Sequence, residues 1–386
     1  MSRKLVVVLG VIQTLAWATT YYMPAIGAAP AAAAMGVSPT LLVGGFSLAL
    51  LIQGLASPGA GRWVDAHGGR GMLALSSLVL AAGLLLMAAW PDPVGWYVGW
   101  VITGVGMAMG LYDAAFATIG RLLGQDARAV IVGVTLIAGF ASTIGWPLGT
   151  ALVDLIGWRA TLCAYAAINV AINLPLVLGF VPGTIPPVPA PQRARGGGGA
   201  EGGSGFAWIV VFLGIFFSVR AGLSAVISVH AIVLLQGVGL GLAAAVATAS
   251  LFGPFQVVGR ILEWSFKRWM DPLAASWFGA VQLPLGVAAM MLGAPPVAFA
   301  VLYGMSNGIL TISRGTLPMY LFGAHGYATR IGRLALPQLL AQALAPTLAA
   351  PLVTDWPAGT IFLWIGVLAF AAMLCLAPLR RSDAAG

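Results

Sequence analysis

The sequence predicts an all-α membrane protein with twelve transmembrane helices in two pseudo-symmetric six-helix bundles. Only 7% of the 386 residues are charged, long uncharged runs alternate with short basic clusters, and one Pro- and Gly-rich segment divides the chain. A helix needs about 20 apolar residues to cross the hydrocarbon core. Backbone in lipid must satisfy its own hydrogen bonds, which favours helices, and the alternating segments of a β-barrel are absent.

The uncharged runs divide into individual helices at Gly, Pro and small polar clusters. Arg3 and Lys4 before an apolar stretch resemble the start of a signal peptide. The stretch continues through Tyr21 and Pro24, however, and is long enough for a retained first helix. The predicted spans are 4–28, 39–58, 71–90, 94–119, 128–153, 159–181, 207–230, 238–259, 272–292, 296–317, 329–352 and 358–379.

The basic residues predict the orientation of these helices. With a cytoplasmic N-terminus, 15 of the 18 basic residues lie at the cytoplasmic side, and only Arg159 lies outside. This asymmetry follows the positive-inside rule, and basic residues at both ends place both termini in the cytoplasm. The net charge of +8 therefore reflects topology and argues against a nucleic-acid partner. We expect an integral protein of a bacterial inner membrane, surrounded by lipid.

A low-complexity linker separates two halves of six helices each. Residues 181–206 read VPGTIPPVPAPQRARGGGGAEGGSGF, a stiff Pro-rich piece followed by a flexible Gly-rich piece. The predicted domains are residues 1–181, a cytoplasmic linker over 182–206, and residues 207–386. Repeated halves around a central site are typical of secondary transporters.

One short motif resembles a known family. Residues 61–70 read GRWVDAHGGR and resemble the loop 2–3 signature of the major facilitator superfamily: a glycine, three residues, an aspartate, then a glycine and basic residues. A degenerate copy with Glu263 follows helix 8, and Ala66 replaces the usual arginine. The resemblance extends over the whole chain. It implies alternating-access transport, with helices 1, 4, 7 and 10 lining a central cavity.

The same resemblance implies a gate. Asp65 would pair with Arg121 at the end of helix 4 and latch the cytoplasmic side when the site faces outward. The alternative is a solvated loop that only sets topology. The counterpart of Arg121 in the second half is Arg314, which would pair with Glu263; its alternative role is substrate contact.

Two ionisable residues are predicted deep in helices expected to line the cavity. Such residues are costly in a membrane and mark transport pathways. Arg220 lies about 20 Å along helix 7, and its planar fork suits a carboxylate or phosphate. Its alternative role is a structural ion pair with Asp113. Asp113 is the candidate proton-coupling carboxylate, or else half of a salt bridge that breaks and forms; these two roles can coexist.

Other polar residues are candidates for the cavity lining. Gln13, Trp17 and either Thr20 or Tyr21 recur at helical spacing on one face of helix 1, which suits a polar solute with some apolar body. For Tyr21, anchoring at the membrane interface is the alternative. Gln256 in helix 8 and Asn307 in helix 10 are further candidates.

These features predict a secondary transporter, proton-coupled, for a small organic anion. The alternative is an efflux carrier for lipophilic or cationic compounds. The loop signature and linker resemble the monocarboxylate-transporter-like branch, although its acidic helix 1 motif is missing, and residues 139–149 partly resemble a helix 5 motif of proton-driven exporters. Cys163 and Cys375 lack metal-ligand spacing. Neither a phosphate-cradling loop nor a catalytic set is visible, so we expect no cofactor and no enzyme activity.

Overall fold

The computed structural model describes residues 2–183, 204–266, 268–324 and 326–379, and the secondary structure of these residues is entirely helical. Most of the predicted linker, residues 184–203, lies outside the described part of the chain. By compactness the chain forms two units, one of residues 1–188 and 326–336, the other of residues 189–325 and 337–386.

Within the described residues, the first unit contains nine α-helices and the start of a later one. In chain order these are α1 (Ser2–Thr19), α2 (Pro24–Met35), α3 (Pro39–His67), α4 (Gly69–Ala89), α5 (Pro93–Gly110), α6 (Tyr112–Leu123), α7 (Ala127–Ala138), α8 (Ala141–Ile168) and α9 (Leu174–Phe180). Side chains cap several of their first turns. Ser38 accepts a hydrogen bond from the Leu41 amide, and Asp92 from the Gly95 amide.

The second unit contains the remaining helices. They are α10 (Ser204–Gly237), α11 (Leu242–Ser250), α12 (Phe252–Phe266), α13 (Pro272–Met291), α14 (Pro296–Phe322), α15 (Tyr327–Asp355) and α16 (Ala358–Leu374). The first ten residues of α15 belong to the first unit, and the division falls at Pro337 inside this helix. The core of the second unit includes Ile227, Leu283, Phe299 and Phe362, all nearly inaccessible.

Ten helical stretches of the described chain are long and apolar enough to cross a membrane. One of them, Ala127–Phe180, runs for 54 residues. It bends at Gly157, whose φ of 78° lies outside the range of a right-handed helix. Dividing it there and adding the 17-residue apolar helix α16 gives the twelve crossings predicted from the sequence.

Several predicted helix bounds differ from the observed ones. The first predicted helix is interrupted between Thr19 and Pro24, and the eighth is interrupted at Leu251. The second continues nine residues past its predicted end, so the GRWVDAH part of the signature forms the last turns of α3 and no loop. The glycines and charges of this segment suggested a turn. The segment is helical instead, and its Val64 is fully buried in a hydrophobic cluster.

Glycines permit close helix contacts inside each unit. A Cβ on Gly104 of α5 would lie 2.6 Å from the Ala49 carbonyl oxygen of α3. In the second unit a Cβ on Gly308 of α14 would lie 2.1 Å from the Gln256 carbonyl oxygen of α12. In each unit, two helices are therefore in backbone-to-backbone contact: α3 with α5 in the first unit, and α12 with α14 in the second. Small residues permit such contacts in membrane helices.

Candidate functional site

Arg220 is a buried cation with most of its donors unused. It lies on α10 with 4% of its surface exposed, and its Nη2 donates to the Ser306 hydroxyl at 2.7 Å. Ser306 in turn donates to the Gly279 carbonyl at 2.6 Å, which fixes this hydroxyl as an acceptor for Arg220. Among the described residues, Nε and Nη1 of Arg220 have no hydrogen-bond partner.

A row of polar side chains continues from Arg220 along the same face of α10. Ser224 and Ser228 follow at intervals of four residues, and both hydroxyls lie within 3.2 Å of the Tyr303 hydroxyl on α14. Tyr303 also donates to the Ser224 carbonyl at 3.1 Å, and the Asn307 amide donates to the Ser224 hydroxyl at 2.8 Å. Arg220 is buried at one end of this row, and Ser228 is exposed at the other end.

In the first unit, Asp113 lies next to a break in a transmembrane helix. The backbone of Leu111 is extended, with ψ of −167°, and separates α5 from α6. The break frees the Gly110 carbonyl, which accepts a hydrogen bond at 2.7 Å from the side-chain amide of Gln13, a fully buried residue of α1. Asp113 is buried in the first turn of α6. A carboxylate there is favoured by the helix dipole.

The aromatic residues of the first crossing form a cluster. Trp17 contacts Tyr21 and Tyr112, with ring centroids 4.7 and 4.9 Å apart. Tyr21 in turn packs edge-on against Phe46 at 5.1 Å. The predicted face of helix 1 is thus divided, because Gln13 binds the broken helix while Trp17 and Tyr21 belong to an aromatic wall.

Asp65 caps another helix. Its carboxylate oxygens accept hydrogen bonds from the backbone amides of Thr329 at 2.7 Å and Ala328 at 3.3 Å, in the first turn of α15. These amides have no partner inside their own helix, and a carboxylate stabilises them by charge as well. Asp65 and Arg121 both belong to the first unit, where Arg121 lies in the last turn of α6. The pairing between them stays a prediction.

The other predicted residues lie in the second unit. Glu263 is buried in α12, Arg314 is half-buried in α14, and their pairing also stays a prediction. Asn307 belongs to the row beside Arg220. Gln256 contributes its backbone carbonyl to the contact with Gly308.

Sequence reasoning missed Ser306, Tyr303, Ser224 and Ser228. The signal for the two serines was available, since they follow Arg220 at helical spacing. Ser306 and Tyr303 come from a helix about 80 residues further along, so only the structure brings them to Arg220. Among the described residues no group of three or more His, Cys, Asp or Glu side chains is arranged to hold a metal ion.

The architecture is that of a polytopic membrane transporter, with apolar helices in two units and isolated ionisable groups buried within them. Residues 7–334 match the Major Facilitator Superfamily. The chain belongs to this family and is therefore a secondary transporter in the membrane, not an enzyme.

Solved structures share this fold over nearly the whole chain. The human organic anion transporter MFSD10 (TETRAN) superimposes with a TM-score of 0.76 at 17% identity, covering 97% of this chain and 99% of MFSD10. The proton:xylose symporter XylE, bound to 6-bromo-6-deoxy-D-glucose, superimposes with a TM-score of 0.67 at 14% identity, covering 97% of this chain and 94% of XylE. At these identities the likeness concerns the fold alone.

A sequence relative of undescribed role also matches. An uncharacterized 38 kDa protein in the 23S RNA operon of Thermoproteus tenax is 28% identical over 146 residues, which is 38% of each chain. The chain thus matches well under half of that relative's length.

Proposed function

We propose that this protein moves a small organic anion across the membrane by alternating access, and that the Arg220 guanidinium binds the anionic group. The observation that carries the proposal is the burial of Arg220 with a serine hydroxyl as its one hydrogen-bond partner among the described residues. An uncompensated buried charge costs several kcal/mol. A carboxylate from the substrate would offset this cost, because a guanidinium binds carboxylates through two parallel hydrogen bonds.

The alternative role of Arg220 was a structural ion pair with Asp113. The described hydrogen bonds of Arg220 go to Ser306 alone, which favours a ligand over a fixed internal partner. The organic anions of MFSD10 are a property of that transporter. They support the same substrate class here only as a proposal, since the two chains share 17% identity.

Asp113 is the proposed proton-coupling residue. It is the one acidic residue in the two halves of predicted helix 4, it is buried, and it lies beside the break at Leu111. Ionisable residues buried in membrane helices are rare and mark ion pathways and proton relays in transporters. The alternative, a salt bridge that breaks and forms, uses the same residue.

The gate residues complete the proposed cycle. Asp65 with Arg121, and Glu263 with Arg314, would hold one side of the protein closed. The capping of α15 by Asp65 supports a role for this carboxylate in fixing that helix. The cytoplasmic position of both termini, the bacterial inner membrane and the monocarboxylate-transporter-like branch are further proposals, which rest on the charge distribution, the loop signature and the linker.

A second candidate function is efflux of lipophilic or cationic compounds. The aromatic wall of Trp17, Tyr21 and Tyr112 favours it, because aromatic faces attract organic cations. This wall does not explain the buried guanidinium, so the anion remains the first choice.

The test compares the purified wild type with Arg220→Met, which removes the charge but keeps a long apolar side chain. Thermal shifts are measured with lactate, gluconate and benzoate, and with tetraphenylphosphonium as the cation. We expect at least one carboxylate to stabilise the wild type and to bind Arg220→Met about tenfold more weakly or worse, because a charge-assisted hydrogen bond is lost. Arg159→Ala, which removes an arginine bound to the Ala88 carbonyl, is the control and should keep the response.

The melting temperature without ligand separates the two roles of Arg220. If the Arg220 guanidinium is unpaired until a ligand binds, the Arg220→Met variant should melt at the wild-type temperature or above, since an unpaired buried charge has been removed. A large decrease, together with an unchanged carboxylate response, would assign Arg220 to a structural ion pair. Stabilisation by the cation alone in both proteins would favour efflux.

A further inference from the structure

The row of polar side chains beside Arg220 indicates the chemical nature of the rest of the proposed anion. We propose that the substrate is a short polyhydroxylated carboxylate, with its carboxylate at Arg220 and its hydroxyls along Ser224, Tyr303, Asn307 and Ser228. This inference rests on the proposed function and narrows it. All of these residues belong to the second unit, so the proposed subsite lies within one compact body.

The spacing along α10 supplies the first reason. At 1.5 Å per residue, Ser224 and Ser228 lie about 6 and 12 Å along the helix from Arg220, on the same face. A carboxylate held by the guanidinium therefore places a chain of about six carbons alongside Ser224, with its far end directed towards Ser228. The hydroxyl of Tyr303 lies 3.0 Å from Ser224 and 3.2 Å from Ser228, so it faces the same stretch.

Spare hydrogen-bonding capacity supplies the second reason. Asn307 uses one side-chain N–H for Ser224, and its Oδ1 has no partner among the described residues. The Tyr303 hydroxyl donates to the Ser224 carbonyl, so the two serine hydroxyls donate to Tyr303. Both serine oxygens can accept a further hydrogen bond, and Asn307 keeps one N–H to donate. The row therefore offers acceptors and one donor, which matches a substrate hydroxyl, itself a donor and an acceptor.

The exposure gradient supplies the third reason. Arg220 and Tyr303 are buried, Ser224 and Asn307 are half-buried, and Ser228 is exposed. A row of hydroxyls and an amide that faced lipid would leave polar groups in hydrocarbon. Only a polar occupant, water or solute, satisfies the exposed end of the row. An apolar acid such as a fatty acid would displace that water without replacing its hydrogen bonds.

Three probes separate the contributions of charge and hydroxyls. D-gluconate has six carbons, a carboxylate and hydroxyls; hexanoate has the same carbon number and charge without hydroxyls; sorbitol has the hydroxyls without charge. Binding of each to the full-length purified protein is measured by thermal-shift titration. We expect gluconate to bind about tenfold or more tightly than hexanoate, because a site built for hydroxyls penalises a ligand that lacks them. Sorbitol should give no shift.

Two variants assign this preference to the row. Tyr303→Phe removes one hydroxyl and keeps the ring that stacks on Phe299, and Asn307→Leu removes the amide. Each should weaken gluconate about tenfold and leave hexanoate within about threefold of wild type, since one hydrogen bond contributes about this factor. Tyr320→Phe, on the same helix and bonded to Asp271 at the other end, is the control and should bind gluconate like wild type.

Each outcome supports or overturns a stated part. Equal shifts with gluconate and hexanoate, both lost in Arg220→Met, would overturn the polyhydroxylated substrate and leave anion transport standing. A gluconate shift that sorbitol reproduces in full and that Arg220→Met retains would overturn anion binding itself. No shift with either acid would overturn both. The wild-type comparison of the two acids decides the question even if a variant fails to fold.

Discussion

At the scale of single residues, Gln13 and Arg220 are buried polar side chains whose hydrogen-bond donors are used to different extents. Gln13 is fully buried and uses its amide to satisfy the carbonyl that the broken helix frees at Gly110. Arg220 is equally deep, but only one of its nitrogens has a described partner. The first arrangement supports the fold, whereas the second leaves donors for a ligand.

Replacing Gln13 by leucine tests its structural role. Gln13→Leu leaves the Gly110 carbonyl buried without a donor, so we expect a loss of about 1–3 kcal/mol in unfolding free energy and a lower melting temperature in detergent. Gln53→Leu is the matched control, because Gln53 is also a buried glutamine but its side chain makes no hydrogen bond among the described residues. It should be neutral or stabilising. Equal melting temperatures for the two variants would refute the role of Gln13.

At the scale of elements, two candidate regions depend on where one helix breaks and where another continues. The extended residue Leu111 divides one predicted crossing into α5 and α6 and places Asp113 at a helix start. The helix α3 continues through Pro58 to His67 and carries Asp65 to the first turn of α15. Broken membrane helices with charged groups at their ends are a recurrent feature of transporters.

Two glycines of α3 test how closely this helix approaches α15. A Cβ on Gly61 would lie 2.3 Å from the Ala328 carbonyl oxygen, while a Cβ on Gly59 would meet nothing within 4 Å. We expect Gly61→Ala to lower the unfolding free energy by about 1–3 kcal/mol through overpacking. Gly59→Ala should raise it by about 0.5–1 kcal/mol, since alanine is the better helix former. Melting curves that rank the variants in the reverse order would contradict the close contact.

At the scale of the whole molecule, the chain has the architecture of a major facilitator, and its function requires binding to be coupled to a change of access. The candidate groups are distributed between the units. Asp113, Asp65 and the aromatic wall belong to the first, and Arg220 with its polar row belongs to the second. Whether the first unit binds the proton and the second unit binds the substrate can therefore be tested in the full transporter.

Asp113→Asn separates proton coupling from substrate transport. In proteoliposomes we expect this variant to lose accumulation of the anion driven by a pH gradient, with uptake close to background, because the amide cannot take up a proton. Exchange of labelled for unlabelled anion needs no net proton movement and should persist. Asp154→Asn, at an exposed aspartate, is the control and should accumulate the anion normally. Gradient-driven accumulation by Asp113→Asn would rule out Asp113 as the coupling residue.

The sequence by itself determined the membrane embedding, the number of crossings and two of the buried ionisable residues, Asp113 and Arg220. These properties are local: about 20 apolar residues in succession define a crossing, and a charge inside such a run is conspicuous. The motif of residues 61–70 also indicated the family, although its conformation as the end of a helix was not predicted.

Only the tertiary structure decided what these residues contact. Ser306 is 86 positions from Arg220, Gly110 is 97 positions from Gln13, and Thr329 is 264 positions from Asp65. No local pattern specifies such pairs, because they form where separate helices pack. The break at Leu111 has the same origin: its cost is offset by a hydrogen bond from another helix, and no signal for it lies in its own segment.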